Sequence, residues 1–237
     1  MRRGIAALGV FAAVTALAAC NNGTTPSSSS SSGNSGDAVA TLTIWADDTR
    51  FTQVETIAED FTATLVRRAE ALRTGPIPEE EAFFGPLNNE RQLERVSRLV
   101  EERPAHSALL TGGHRVGQTG YYYAPTVISG LRQEDRLIQE EIFGPVLTVQ
   151  VFDDDDEALA MANGVDYALS SSIWTADHRR VLRFSRDLDF GCVWVNTHIP
   201  LVAEMPHGGF KRSGYGKDLS VYGVEDYTRV KHVMSAL

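Results

Sequence analysis

Pro145-Val-Leu-Thr-Val-Gln-Val-Phe152 runs directly into Asp153-Asp-Asp-Asp-Glu-Ala-Leu-Ala-Met-Ala-Asn163, and this pair of segments decides the fold class. The first is an apolar, β-branched run of strand length; the second, from Asp154, reads as a capped helix. Clustered carboxylates suit the positive end of a helix, so the acidic run predicts a solvated helix start rather than a metal site. Downstream the pattern repeats, with a strand from Leu169 to Trp174 and a helix from Asp177 to Leu188. A further strand, Gly191-Cys-Val-Trp-Val195, rises to Asn196. Upstream, Phe61, Leu65, Ala69 and Leu72 recur at helical spacing until Gly75-Pro76 stops them. Asn88 or Asn89 can cap a second helix whose inner face is Leu93, Val96, Leu99 and Val100. Strands are expected at Ala108 to Leu110 and Tyr121 to Val127, with a strand-like tail from Tyr227 to Met234. Strands alternating with helices predict an α/β domain with a mostly parallel sheet covered by helices.

The N-terminal part has a different character. Arg2-Arg3, an apolar stretch from Ile5 to Leu17 and then Leu17-Ala-Ala-Cys20 carry the marks of an export signal. That apolar stretch is shorter than the roughly 20 residues needed to span a bilayer. The cysteine after Leu-Ala-Ala resembles a bacterial lipobox, which implies lipidation at Cys20 and a membrane-anchored, exported product. Residues 21–39 are rich in Ser, Gly and Asn, with an unbroken serine run from Ser27 to Ser32, and predict a flexible tether. Ala40-Thr-Leu-Thr-Ile-Trp-Ala46 alternates as an opening strand does. Together with the lipobox and tether, residues 40–58 resemble the start of a sugar-type solute-binding lipoprotein. The expected organisation is a signal over 1–20, a linker over 21–39, this remnant over 40–58 and one α/β segment over 59–237.

Composition removes some functions. A net charge of −9 argues against nucleic acid, whose phosphates are met by basic patches. The chain has only two cysteines, Cys20 and Cys192, so lipidation of the first leaves no intramolecular disulfide. Cys192 opens an apolar strand, where small buried cysteines are common, and reads as structural rather than nucleophilic despite His198 and His207 nearby. Neither histidine has metal-ligand spacing to a partner. Gly112-Gly113 and Gly117-x-x-Gly120 lack the strand, glycine turn and helix order of a phosphate loop and predict a hairpin or a turn.

Two motifs carry chemistry. Glu140-Glu-Ile-Phe-Gly-Pro-Val146 turns sharply at Gly144-Pro145 and presents a carboxylate and a ring just before a strand. A carboxylate accepts two hydroxyl hydrogen bonds, which suits a ribose diol. Later, Glu204-Met-Pro-His-Gly-Gly-Phe-Lys-Arg-Ser-Gly-Tyr-Gly216 places paired glycines where a loop wraps tightly around a pocket. In this order the two runs resemble the C-terminal half of an NAD(P)-dependent aldehyde dehydrogenase. Met205-Pro-His-Gly-Gly, Val193-Trp-Val-Asn-Thr-His198 and Asp218-Leu-Ser look most like the aminobutyraldehyde or betaine-aldehyde branch. The resemblance implies that Glu141 contacts the nicotinamide ribose and that Phe143 lies near the nicotinamide of NAD or NADP. It implies that Asn196, His207 and their loops shape the funnel for a small aldehyde, and that Tyr227 to Met234 is an oligomerisation strand. It also implies a catalytic cysteine in a Gly-Gln-x-Cys context well upstream. That context is absent, since Gln118 is followed by Thr119-Gly120, so no residue of the chain takes the catalytic role and the chain is expected to be inactive alone.

Overall fold

The computed structural model describes residues 9–16, 40–46, 54–76 and 82–236. Cys20 and the tether over 21–39 lie outside the described residues.

The elements follow the alternation expected from sequence. β1 (Gly9–Ala16) and β2 (Ala40–Ala46) precede α1 (Val54–Ala71), the short pair β3 (Arg73–Thr74) and β4 (Ala82–Phe84), and α2 (Glu90–Glu101). Then come β5 (Ala108–Thr111), β6 (Thr126–Ser129), α3 (Arg136–Gln139), β7 (Val146–Phe152) and α4 (Asp155–Asn163). The chain continues through β8 (Tyr167–Ala168), β9 (Ser170–Ile173), α5 (His178–Asp187), β10 (Cys192–Val195), β11 (Phe210–Lys211) and α6 (Ser220–Asp226). One sheet has the order β2-β1-β7-β6-β5, and β9 pairs with β10 in a second. The β6–β7 and β9–β10 pairs are parallel, whereas β1–β2, β1–β7 and β5–β6 are antiparallel, so the α/β domain has mixed sheets. Part of the apolar run that reads as an export signal, Gly9–Ala16, takes a strand position beside β7. A short apolar run meets the demands of a strand as well as those of a signal core.

Local chemistry sets the helix starts. The Asn89 side chain accepts a hydrogen bond from the Gln92 amide at 2.9 Å and caps α2. Asp154 does the same for α4 through the Glu157 amide at 2.8 Å, and the Glu157 carboxylate reaches back to the Asp153 amide at 2.6 Å. This reciprocal arrangement is a capping box, so the acidic run is indeed a helix start. Side chains alternate across β7. Val146 joins the core under α2 with Val96, Leu99, Val100, Ile128 and Ile142. Phe152 joins a second core with α4, α5 and β9 through Leu159, Ile173, Phe184 and Phe190. Leu147 and Val149 face the other way, onto Phe61, Leu65, Val66 and Ala69 of α1.

The glycine-rich stretch after β5 is a hairpin: Val116 N donates to Tyr122 O at 2.9 Å and Ala124 N to His114 O at 3.0 Å. Gly112, Gly113, Gly117 and Gly120 all adopt positive φ. Two expectations need correction. The strand expected over Tyr121 to Val127 forms at Thr126–Ser129 instead, because Pro125 brings no amide donor and Tyr123 makes only an isolated bridge to Arg115. Tyr227 to Met234 is not a strand. α6 ends at Asp226 and the following residues run exposed, paired with no strand among the described residues.

Candidate functional site

Glu141 and Phe143 sit on the connection from α3 to β7. The ordering of this connection comes from a helix far away in sequence. Arg95 of α2 donates to Ile142 O at 2.7 Å and to Glu141 O at 2.6 Å. One turn earlier, Gln92 Nε2 donates to Ile142 O at 3.1 Å and to Phe143 O at 2.9 Å. Three successive carbonyls are thus held by one helix face, while Ile142 is buried beneath them. Phe143 has φ +58, a conformation that costs a non-glycine residue about 1 to 2 kcal/mol. The four hydrogen bonds offset that cost. Gly144 follows because a Cβ there would press on the Val96 side chain at 2.8 Å.

The Glu141 carboxyl is half-buried, and burial pushes it above the ordinary carboxylate range while Arg95 pulls it back down. Among the described residues no donor hydrogen-bonds its oxygens. Its acceptor capacity is therefore unspent, which fits a vicinal diol, and the neighbouring Phe143 ring is also only partly covered. The residues present fit a nicotinamide nucleotide at this position.

The second group of candidate residues surrounds β10. Asn196, at φ +52, ends that strand, and its side chain is already engaged. Its Oδ1 accepts from Thr175 N at 2.8 Å and its Nδ2 donates to Thr175 O at 3.0 Å. Asn196 therefore pins the turn between β9 and α5. His207 pairs through its backbone with Asp218, at 2.8 and 2.7 Å. Its ring stacks on Trp194 with centroids 6.4 Å apart, and its buried Nδ1 has no hydrogen-bond partner among the described residues. On the adjacent side of Trp194, His198 stands edge-on at 5.1 Å, with Nδ1 2.9 Å from Ser172 Oγ. Burial holds the His198 imidazole below its ordinary value.

A cleft of about 450 Å³ opens beside this group, lined by His207, Gly208, Gly209, Ser213, Lys217 and Asp218 among others. Lys217 Nζ donates to Gly209 O at 3.1 Å and lies 4.7 Å from the Phe210 ring centre, which fixes the loop's shape. Glu141, Phe143 and Asn196 are not among the residues that line this cleft. Cys192 opens β10, and burial pushes its thiol up, the wrong direction for a nucleophile. Among the described residues no cluster of His, Cys, Asp and Glu is arranged to hold a metal. Sequence reasoning missed Gln92, Arg95, Trp194 and Lys217. Gln92 and Arg95 are three apart on the polar side of an amphipathic helix, which is the signal that a polar contact exists without saying to what.

Comparison with known proteins now decides the family. The aldehyde dehydrogenase family model matches residues 47–233. The chain belongs to the aldehyde dehydrogenase family. It is 38% identical over 184 residues to the betaine aldehyde dehydrogenase of Bacillus subtilis (strain 168), a match covering 76% of this chain and 38% of that protein. To an aldehyde dehydrogenase of Emericella nidulans it is 36% identical over 180 residues, covering 76% and 36%. Among solved structures, a betaine aldehyde dehydrogenase from Staphylococcus aureus in complex with NAD+ superimposes with a TM-score of 0.69 at 30% identity. That match covers 73% of this chain and 35% of the other. The chain thus spans little more than a third of the length of the relatives it matches.

Proposed function

We propose that this chain supplies the nicotinamide-contacting and substrate-funnel part of an NAD(P)+-dependent aldehyde dehydrogenase and is inactive alone. The observation that carries this reading is Glu141: a half-buried carboxylate without a donor among the described residues, on a loop clamped by Arg95 and Gln92. A ribose diol would donate to it, and the Phe143 ring would lie alongside. When bound, NAD(P)+ supplies the hydride acceptor, and the chain's own residues bind and orient it. His207 and the glycine-rich loop would wall the approach of a small aldehyde of the aminobutyraldehyde or betaine-aldehyde type. Inactivity alone follows from the thiols: Cys192 is a raised, half-buried strand residue and Cys20 belongs to the leader.

The organisation we propose is an export signal over 1–20 with lipid attachment at Cys20, a tether over 21–39, a solute-binding-like remnant over 40–58 and the dehydrogenase part over 59–237. On that reading the fused product is exported and membrane-anchored, although its dehydrogenase part belongs to a chemistry of the cytoplasm. Leu17-Ala-Ala-Cys20 and the serine run support a second reading, a surface-anchored binding lipoprotein that uses the dehydrogenase part as a scaffold. Palmitate labelling that disappears in Cys20→Ser would establish the anchor.

The test of the main reading is a chimera. The upstream part of the Bacillus subtilis betaine aldehyde dehydrogenase is joined to residues 54–237, and NAD+ reduction is followed with betaine aldehyde. The chimera should reduce NAD+, lose most activity in Glu141→Ala, and the unjoined chain should show none. A folded but inactive chimera, or turnover by the chain alone, would reject the proposal.

A further inference from the structure

The segment that leaves β10 turns back over Trp194 in a conformation its own residues do not favour. Asn196 and Ile199 have φ of +52 and +71, a region that non-glycine residues avoid and a β-branched isoleucine avoids most. Ile199 is itself exposed, so its side chain adds little packing to hold the turn. Besides the tie from Asn196 to Thr175, the turn is held by Trp194 and β9. The Trp194 indole Nε1 donates to Pro200 O at 3.0 Å. His198 stands edge-on to the same indole at 5.1 Å, and its Nδ1 lies 2.9 Å from the Oγ of fully buried Ser172. The other ring nitrogen, Nε2, is buried and has no hydrogen-bond partner among the described residues. A neutral ring leaves only one uncharged nitrogen unpaired there. In an imidazolium both nitrogens are donors, so Nε2 becomes a charged donor that faces no acceptor.

We propose that Ser172, Trp194 and His198 form a proton-operated clasp, which holds residues 196–200 on β9 and β10 while the imidazole is neutral and releases them when it takes a proton. His207 stacks on the same indole, so release also loosens the wall of the cleft that His207 lines. Burial acts in the required direction, because it holds the His198 imidazole below its ordinary value of 6.5. The clasp is therefore intact above that value, weakens as pH falls from it, and weakens no further below the lowered value. Neighbouring elements bring no charge that takes over this role. β9 and β2, which lies against it, carry no ionisable side chain. On β10, Trp194 shares its face with Cys192, whose thiol burial keeps protonated, while α5 packs on the opposite face against Val193 and Val195. The following loop adds Glu204, which is exposed, and His207, which stacks on Trp194.

The test uses the full chain labelled with nitrogen-15. The Nε1–H signal of Trp194, one of three tryptophans, is assigned by its loss in Trp194→Phe. Its hydrogen exchange, normalised to that of free indole at each pH, should be at least about ten-fold faster near pH 5 than near pH 7.5. The rise should begin near the ordinary histidine value and level off once the His198 ring signals have titrated. His198→Asn, which keeps a polar atom near Ser172 but does not titrate, should flatten the profile, and His207→Asn should not. Circular dichroism checks the fold of both variants. If His198→Asn does not fold, the match between indole exchange and His198 titration in the parent chain still decides. Exchange that stays within about two-fold over this range overturns the proposal, as does a rise unrelated to the His198 titration. So does a rise that persists in folded His198→Asn or vanishes in His207→Asn. Equal acceleration at the backbone amides of α2 also overturns it, because the whole fold then opens rather than the clasp.

Discussion

Replacing Arg95 by Ala should release the Glu141 loop while leaving most of the core in place. Arg95 makes two charge-assisted hydrogen bonds, at 2.6 and 2.7 Å, to consecutive carbonyls of the loop. Hydrogen bonds to charged groups contribute about 1.5 to 3 kcal/mol each when buried. The Arg95 side chain is a third exposed, so water can replace part of what is lost. That brings the combined loss to about 2 kcal/mol, and Gln92 continues to hold Ile142 O and Phe143 O. A loss of that size in local closing free energy corresponds to roughly thirty-fold faster hydrogen exchange at amides that depend on the loop. The natural reporters are Glu140 N, bonded to Arg136 O at 2.8 Å, and Val146 N, bonded to Gly144 O at 2.7 Å. Exchange mass spectrometry on peptides spanning residues 136–147 makes the comparison, with peptides from α4 and α5 as internal controls. Arg95→Lys should recover part of the protection, since a single ammonium can serve only one carbonyl well. The reasoning fails if loop exchange in Arg95→Ala stays within about two-fold of the parent, or if α4 and α5 speed up equally.

Three further outcomes follow from the geometry. Burial raises the Glu141 carboxyl above its ordinary value, so its ionised form is disfavoured in the fold; stability is present below the ordinary value and lost as pH rises through the folded one. Glu141→Gln, neutral throughout, should therefore raise the melting midpoint near pH 7 and change it least near pH 4, and a lower midpoint at neutral pH would contradict this. A Cβ at Gly191 would collide with the Gly208 carbonyl, so Gly191→Ala must push β10 away from the glycine loop and should cost about 3 kcal/mol in urea unfolding. Asn196→Ala loses two side-chain hydrogen bonds to Thr175 and places alanine at φ +52, a cost of about 3 kcal/mol. Asn196→Gly should regain about 1 kcal/mol of that, and equal stability of the two variants would show that backbone strain is not a factor.

What the sequence makes legible here is what local physics decides. The caps at Asn89 and Asp154, the strand Val146–Phe152 and the glycine hairpin all form because their determinants lie within a few residues of one another. The Glu140 to Val146 motif was equally visible, but not its support, because Arg95 and Gln92 reach it across 46 to 51 residues of chain. Polar residues on a solvent-side helix face have no periodicity that points to a distant carbonyl. Tyr227 to Met234 fails for the complementary reason. Its Tyr, Val and Thr content favours a strand, but β propensity is expressed only where another edge completes the ladder. Asn196 hides something else: its side-chain amide is committed to the Thr175 backbone, and a commitment of that kind is invisible until the two loops are brought together.

The distribution of burial also explains why the two halves of the candidate site differ in character. The Glu141 loop stands on a packed base, with Val96 fully buried and Ile142 at 1% exposure beneath it. Its geometry is set within this chain. The glycine-rich loop and α6 are attached mainly by polar contacts. Lys211 Nζ donates to Asn163 O at 2.9 Å, Ala168 N donates to Ser213 Oγ at 3.0 Å, and Trp194 Nε1 donates to Pro200 O at 3.0 Å. Such contacts fix direction, but each adds only about 1 kcal/mol, and without apolar burial the segment belongs to the low-stability end of the fold.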